Sequence, residues 1–237
     1  MKTDSAPAAV RPRVIGQARH IFFDLDGTLT DSRDGILRCI KHALAAVGRT
    51  PPGDTVLERT IGLPLREVLA DLVGDAGNGL ADVALAAYRE RYRAVGMFEN
   101  RLYDGVPECL ESLRGHGRSL YVVTAKVRQF AEQILEHFGI RPLFATVYGP
   151  DLNGEAARKD RLIAQALAGE GLDPRDVVMI GDRGEDIEGA RVSGLAAIAV
   201  AWGYGPREEL VSARPDLIVE DMQALGAALM GRAQGGS

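Results

Sequence analysis

The sequence predicts an α/β fold: a core of parallel strands wrapped by helices, with a small all-helical block inserted after the first strand. Three observations carry this. From about residue 104 onward, short apolar runs rich in β-formers alternate with helix-periodic stretches, as parallel strands and their crossover helices do. One further strand, His20-Ile21-Phe22-Phe23, stands apart upstream. Between the two, from Ser32 to about Arg101, the periodicity is helical and no strand is evident. The expected division is a core of 19–31 and 102–230, a helical cap domain of 32–101, and flexible tails at 1–18 and 231–237.

Taken in order, the first strand is closed by Asp24-Leu25-Asp26-Gly27-Thr28, where Asp-Gly marks a turn. Asp31-Ser32 suits a helix N-cap, and Ile36, Leu37, Ile40, Ala43, Leu44 and Val47 recur at helical spacing until Gly48 and Pro51-Pro52 end the pattern. Short helices are expected over 54–60 and 64–73, a loop over 74–79 and a longer helix over 80–95. Asp104-Gly105-Val106-Pro107 then turns into a helix over 108–115. Strands are expected over 119–123, 145–148, 176–180, 196–200 and 217–219. Helices are expected over 127–138, 159–169, 183–193 and 222–230.

Composition excludes several classes. The chain has 237 residues, 46% of them hydrophobic, enough for one large domain or a core with an insert. A net charge of −5 without a Lys/Arg cluster argues against nucleic acid as partner, so any phosphate site must be local. No apolar run reaches the length of a membrane span. Segment 1–18, rich in Ala, Pro and Arg, lacks the apolar stretch of a secretory signal. Cys39 and Cys109 are far apart, without metal-ligand spacing and within apolar helical patterns. Buried free thiols in a reducing cytoplasm are expected, not a disulfide.

Three polar residues follow three apolar strands: Asp24, Thr124 and Asp182. Ligands of open α/β sheets bind beyond the carboxyl ends of the strands, so these residues are candidates for one crevice. Asp24 and Asp26, two apart on an extended segment, point to the same side. Asp186 lies one turn beyond Asp182. The pair reads either as an N-cap with a first-turn acid or as further carboxylates for the crevice. Two such charges ~4 Å apart repel by about 4 kcal/mol at an effective dielectric near 20. A hard divalent cation with oxygen ligands, Mg²⁺ above all, relieves this, and no nearby His or Cys suggests zinc. Thr124-Ala125-Lys126 offers a hydroxyl and backbone N–H groups to a phosphate oxygen, although Thr124 suits a helix cap equally well. Lys159 opens a helix after the Gly-rich segment 149–154, where most lysines are solvated surface charges.

The run FFDLDGTLTDS resembles the first motif of the haloacid dehalogenase-like superfamily, in its phosphatase branch. VVTAK is similar to its second motif, Lys159 in ARKDRLI to its third and MIGDRGEDIEGA to its fourth, in the same order and spacing. Ala125 and Val127 depart from the Ser or Asn and the Pro common in the second motif. The stretches FAEQILEHFGI and AWGYGPREEL are closest to the phosphoglycolate phosphatase-like and nucleotidase-like branch. The resemblance implies a Rossmann-like core with a helical cap and a Mg²⁺-dependent phosphoric monoester hydrolase. It implies Asp24 as nucleophile and Asp26 as general acid and base. Thr124 and Lys159 would bind phosphate oxygens, and Mg²⁺ would sit among Asp24, the backbone carbonyl of Asp26, Asp182 and Asp186.

An acid at position 26 is what dehalogenases and ion-pumping ATPases of the superfamily lack. Specificity would reside in the cap, with Arg66 and Lys126 as candidates for a substrate carboxylate or second phosphate; for Arg66 the other reading is an exposed helix-surface arginine. The substrate expected is a small phosphorylated metabolite such as 2-phosphoglycolate, with a nucleoside monophosphate as the alternative and a sugar phosphomutase behind it. A non-enzymatic phospho-acceptor would be about half this length and lack the insert. A monomer or homodimer is expected, with neither nucleic-acid nor membrane partners.

Overall fold

The computed structural model describes residues 15–74, 79–151 and 158–231. Its core is a six-stranded, all-parallel sheet. The first strand, β1 (His20–Phe23), is central. On one side lie β4 (Ser119–Val123) and β5 (Thr146–Tyr148); on the other lie β6 (Val177–Gly181), β7 (Ala196–Val200) and β8 (Leu217–Val219). Phe23 is level with Val122 of β4 and with Ile180 of β6, so three strands end together. Chain order runs outward in both directions from β1, which places the switch point of the topology, and with it the ligand crevice, at the carboxyl end of β1.

Side-chain alternation builds two cores. Ile21, Phe23, Leu120, Val122, Val178, Ile180 and Ile198 face one side of the sheet. Helices α5 (Val106–Gly115), α6 (Arg128–His137) and α10 (Met222–Leu229) cover it. Phe22, Tyr121, Val123, Val177, Met179 and Ala197 face the other side, under α7 (Lys159–Glu170), α8 (Gly184–Val192) and α9 (Arg207–Ala213). Strands buried on both faces read as continuous apolar runs, which is why they stand out in the sequence. Cys39 and Cys109 are buried and free.

The helical block consists of α1 (Arg33–Ala46), α2 (Asp54–Glu58), α3 (Leu65–Val73) and α4 (Leu80–Ala94), with α1 packed chiefly along α4. The chain enters it through β2 (Thr30–Asp31) and leaves through β3 (Arg101–Leu102), which pair antiparallel. These two strands are absent from the sequence reading, because two residues carry no periodicity. Helix α9 is likewise unforeseen. Two caps differ from expectation. Ser32 precedes α1 without a side-chain capping bond, since its Oγ lies against the Tyr204 hydroxyl at 3.3 Å. Helix α8 begins at Gly184 with Arg183, not Asp182, as its N-cap residue. The N-terminal boundary also shifts: Ile15 and Ala18, expected in a tail, are buried against the core, while 1–14 and most of the expected loop 74–79 lie outside the described residues.

Among the described residues no helix is long and apolar enough to cross a membrane. The central strand sets the stability of the core. Ile21 is fully buried, and Ile21→Ala is expected to cost about 2–5 kcal/mol, read as a shift of the urea midpoint at unchanged slope.

Candidate active site

Asp24 follows β1 directly, its N–H donating to Ile180 O at 2.9 Å. The next residues form a tight turn in which Leu29 and Thr30 N–H both return to Leu25 O. Gly27 in that turn has φ +81°, and a Cβ there would overlap the Asp182 carboxylate. The turn is thus glycine-dependent for two reasons: backbone conformation and close approach.

Asp182 follows β6 and is fully buried. Thr28 Oγ1 donates to its Oδ1 at 3.1 Å, and the Tyr204 N–H donates to its Oδ2 at 2.8 Å. Asp186, in the first turn of α8, is also fully buried. Its Oδ2 accepts from the Arg183 N–H at 3.1 Å. Carboxylate oxygens of Asp24, Asp182 and Asp186 all lie within 4.8 Å of one another. Because Arg183 rather than Asp182 caps α8, the Asp182 carboxylate is directed into this group.

Lys159 is the cation of the cluster. Contrary to what its surroundings in sequence suggest, it is only 5% exposed. Its Nζ donates to Val123 O at 3.1 Å and lies 2.7 Å from Asp186 Oδ1 and 3.2 Å from Asp24 Oδ1. Burial alone would lower its pKa; Asp186 and Asp24 outweigh burial and hold it above the usual lysine value. One ammonium does not balance three carboxylates. Burial first, then the charges of Asp186 and Asp24, push Asp182 up to about 8. Asp186 rises to about 6 through burial and Asp24, against the pull of Lys159. Its Oδ1, although close to the ammonium, has no hydrogen bond of acceptable geometry. Three converging oxygens, one of them orphaned, fit a hard divalent cation.

Asp26 turns elsewhere. Its Oδ2 lies 2.5 Å from Lys126 Nζ, while its Oδ1 is buried without a partner. Its carboxylate is not one of the three grouped above. Lys126 bridges core and block, with Nζ 5.0 Å from the ring centre of Tyr92 on α4. Burial, which would lower the Lys126 pKa, is overcome by Asp26 and Tyr92, and the group stays charged. Thr124 is buried at the end of β4, its Oγ1 accepting from Lys126 N–H at 3.2 Å. Helix α6 begins only at Arg128, so Thr124 is not its cap; Ala125 beside it is exposed. Asp24 and Asp26 retain 13% and 22% side-chain exposure and form the accessible edge of the site. Arg66 is not brought here. Its guanidinium pairs with Asp82 at 2.9 Å, 63% exposed on the block's surface. The other reading of the sequence, a helix-surface arginine, holds.

Sequence reasoning missed the supports of the cluster. Arg183 donates to Ile61 O of the block at 2.8 Å and pairs with Glu209 of α9 at 2.9 Å. Trp202 Nε1 donates to Thr28 O at 3.1 Å. Segment 201–206 presses so closely on Asp182 that a Cβ on Gly203 would overlap it. The signals of these in the sequence are the resemblances carried by MIGDRGEDIEGA, which holds Arg183, and by AWGYGPREEL, which holds Trp202, Gly203 and Glu209.

At the strand ends of a doubly wound sheet stand an accessible carboxylate, two buried carboxylates, a buried lysine and a threonine, a set that could hold a metal ion. Residues 21–200 match the family model described as haloacid dehalogenase-like hydrolase, and the chain belongs to that family. It is 42% identical to a 5'-nucleotidase of Pseudomonas aeruginosa, over 89% of this chain and 95% of that one. It is 39% identical to the tyrosine-protein kinase PtkA of Mycobacterium tuberculosis, over 78% of this chain but only 62% of the kinase. A phosphoglycolate phosphatase of Agrobacterium fabrum is 30% identical over 87% and 90%. The crystal structure of a predicted phosphatase from Clostridium acetobutylicum superimposes with a TM-score of 0.83 at 35% identity, covering 90% of this chain and 99% of that one.

Two expectations follow from the electrostatics. Without a cation, the folded chain keeps protons on Asp182 and Asp186 that the unfolded chain releases near 3.8. The stability this contributes is complete at acid pH and is lost as pH rises through about 6 and then about 8. A divalent cation takes the place of those protons, so MgCl₂ should raise the melting temperature more at about pH 8.5 than at about pH 5.5, relative to EDTA; an equal rise at both would contradict the assignment. Gly203→Ala should displace Asp182 and remove most of this cation-dependent rise, which the same melts measure.

Proposed function

We propose that this protein is a Mg²⁺-dependent phosphomonoesterase working through an aspartyl-phosphate on Asp24. The observation that carries the reading is the Asp24–Asp182–Asp186 group with Lys159 wedged into it at the end of three strands. Uncatalysed phosphate-monoester hydrolysis is among the slowest of biological reactions, and its catalysis is mostly positioning and charge stabilisation. Both Asp24 contacts, from Leu25 N–H and from Lys159, fall on Oδ1. Among the described residues Oδ2 accepts no hydrogen bond, which leaves it as the attacking oxygen.

Attack by Asp24 on phosphorus breaks the ester P–O bond, and Asp26 gives its proton to the departing alkoxide. Asp26, now ionised, takes a proton from water as the water's oxygen attacks the aspartyl-phosphate, and phosphate leaves with Asp24 regenerated. Lys159 and Thr124 hold the equatorial phosphoryl oxygens. Asp24, Asp182, Asp186 and the backbone carbonyl of Asp26 would hold Mg²⁺, which would supply the further positive charge that a dianionic phosphate needs here. The helical block covers the site and excludes water from the first step.

For the substrate, the 5'-nucleotidase relative, matched over nearly the full length of both chains, supports a nucleoside monophosphate. A second reading, 2-phosphoglycolate, draws support from Lys126, a cation paired with Asp26 that a carboxylate next to the ester would meet. Either way the protein acts on a small phosphorylated metabolite.

Phosphate release from nucleoside monophosphates, 2-phosphoglycolate, sugar phosphates and pyrophosphate tests the reading, each with Mg²⁺ and with EDTA. One of the first two should be turned over strongly only with Mg²⁺, and Asp24→Asn should lower kcat by at least about 10³-fold. Release that survives EDTA, or that survives Asp24→Asn, would overturn it. Lys126→Met should raise KM for 2-phosphoglycolate by about tenfold or more if a carboxylate is what it binds; an unchanged KM there removes the second reading.

A further inference from the structure

The chain crosses from the core into the helical block at Asp31–Ser32–Arg33, and one side chain from a distant segment gathers that crossing. Tyr204 lies between β7 and α9. Its hydroxyl accepts from the Ser32 N–H at 2.7 Å and donates to Asp31 Oδ1 at 3.1 Å. The Arg33 guanidinium sits 5.6 Å from its ring centre. The same residue's backbone N–H donates to Asp182 Oδ2 at 2.8 Å. Tyr204 therefore touches a candidate cation ligand with its main chain and the crossing with its side chain.

The other Asp182 oxygen leads to the same place. Oδ1 accepts from Thr28, in the turn that runs into β2, and the carbonyl of Thr28 accepts from Trp202. Trp202 packs edge-on against Tyr103, with ring centres 6.3 Å apart. Tyr103 follows β3, where the chain returns from the block, and its N–H donates to Leu29 O at 3.1 Å. Arg101 of β3 closes the ring by pairing with Asp31 Oδ2 at 2.7 Å. Both crossings are thus tied to Asp182 through residues 202–204.

We propose that Tyr204 is a positioning residue that couples cation occupancy at Asp182 to the order of the Asp31–Ser32 crossing, and through it to the placement of the block over Asp24. This rests on the phosphatase reading, since it takes the cation to bind at Asp24, Asp182 and Asp186. A cation that fixes Asp182 fixes the Tyr204 main chain and so favours the hydroxyl's bonds at the crossing. By linkage, an ordered crossing tightens cation binding by the same factor.

The test uses the full chain, wild type and Tyr204→Phe, which keeps the backbone N–H to Asp182 and removes only the hydroxyl. Mg²⁺ affinity is measured by calorimetry, and exchange of the Ser32 amide by NMR with Mg²⁺ and with EDTA. In the wild type, Mg²⁺ should slow Ser32 exchange by about fivefold or more. In Tyr204→Phe, exchange should be fast and the same in both conditions, with Mg²⁺ affinity weakened by the factor of protection lost. A staple with no link to the cation would speed exchange in the variant but give no Mg²⁺-dependent change in the wild type, and that result overturns the proposal. Equal Mg²⁺-dependent protection in both proteins overturns it too. If Tyr204→Phe does not fold, the wild-type arm still decides: Mg²⁺ that binds without slowing Ser32 exchange refutes the coupling. A wild type that binds no Mg²⁺ at all refutes the phosphatase reading, a different outcome from bound Mg²⁺ without protection.

Discussion

Three carboxylates and one ammonium packed into the buried ends of three strands set the terms for the rest of this structure. Such a group is costly to assemble, since each charge loses its water. Lys159 compensates part of that cost by meeting Asp186, Asp24 and a main-chain carbonyl at once. The remainder is visible in the raised carboxyl pKa values and in the orphaned oxygen of Asp186. The surrounding chain holds these groups where they would not stay unaided. Level strand ends set their depth, a glycine-dependent turn lets Asp182 approach, and Arg183 takes the cap of α8 so that Asp182 need not.

The site divides by accessibility as well as by charge. Asp182, Asp186 and Lys159 are buried. Asp24 and Asp26 stand at the boundary, where the helical block supplies Tyr92 against Lys126 and Ile61 against Arg183. The seam between core and block holds apolar contacts as well, among them the edge-on pair of Tyr92 with Phe130, ring centres 5.6 Å apart.

Much of this was legible in the sequence, and the reasons differ by element. Strands β1, β4 and β6 are buried on both faces, so each is a plain apolar run, and the polar residue that follows each run is the one that matters. Asp24, Thr124 and Asp182 could be read for that reason. Lys159 could not be told from a surface lysine by its neighbours, because its burial depends on Asp24 and Asp186, both distant in sequence; only the motif resemblance pointed to it. Strands β2 and β3 pair through two residues each, too short for any pattern. Ser32 looks like a cap, and its hydroxyl is instead drawn to Tyr204, far along the chain. Arg66 was placed by its position in a helix, which says nothing about which way the helix faces.

The ribbon of β2 and β3 has one more consequence. Thr30 lies opposite Leu102 and Asp31 opposite Arg101, so the chain leaves the core and comes back to it within the width of one strand pair, about 5 Å. The helical block is therefore a parenthesis in the sequence of the core: its length and content are invisible to the sheet, provided that its two ends meet. A segment joined in this way can be lengthened, shortened or replaced over evolutionary time without moving an aspartate.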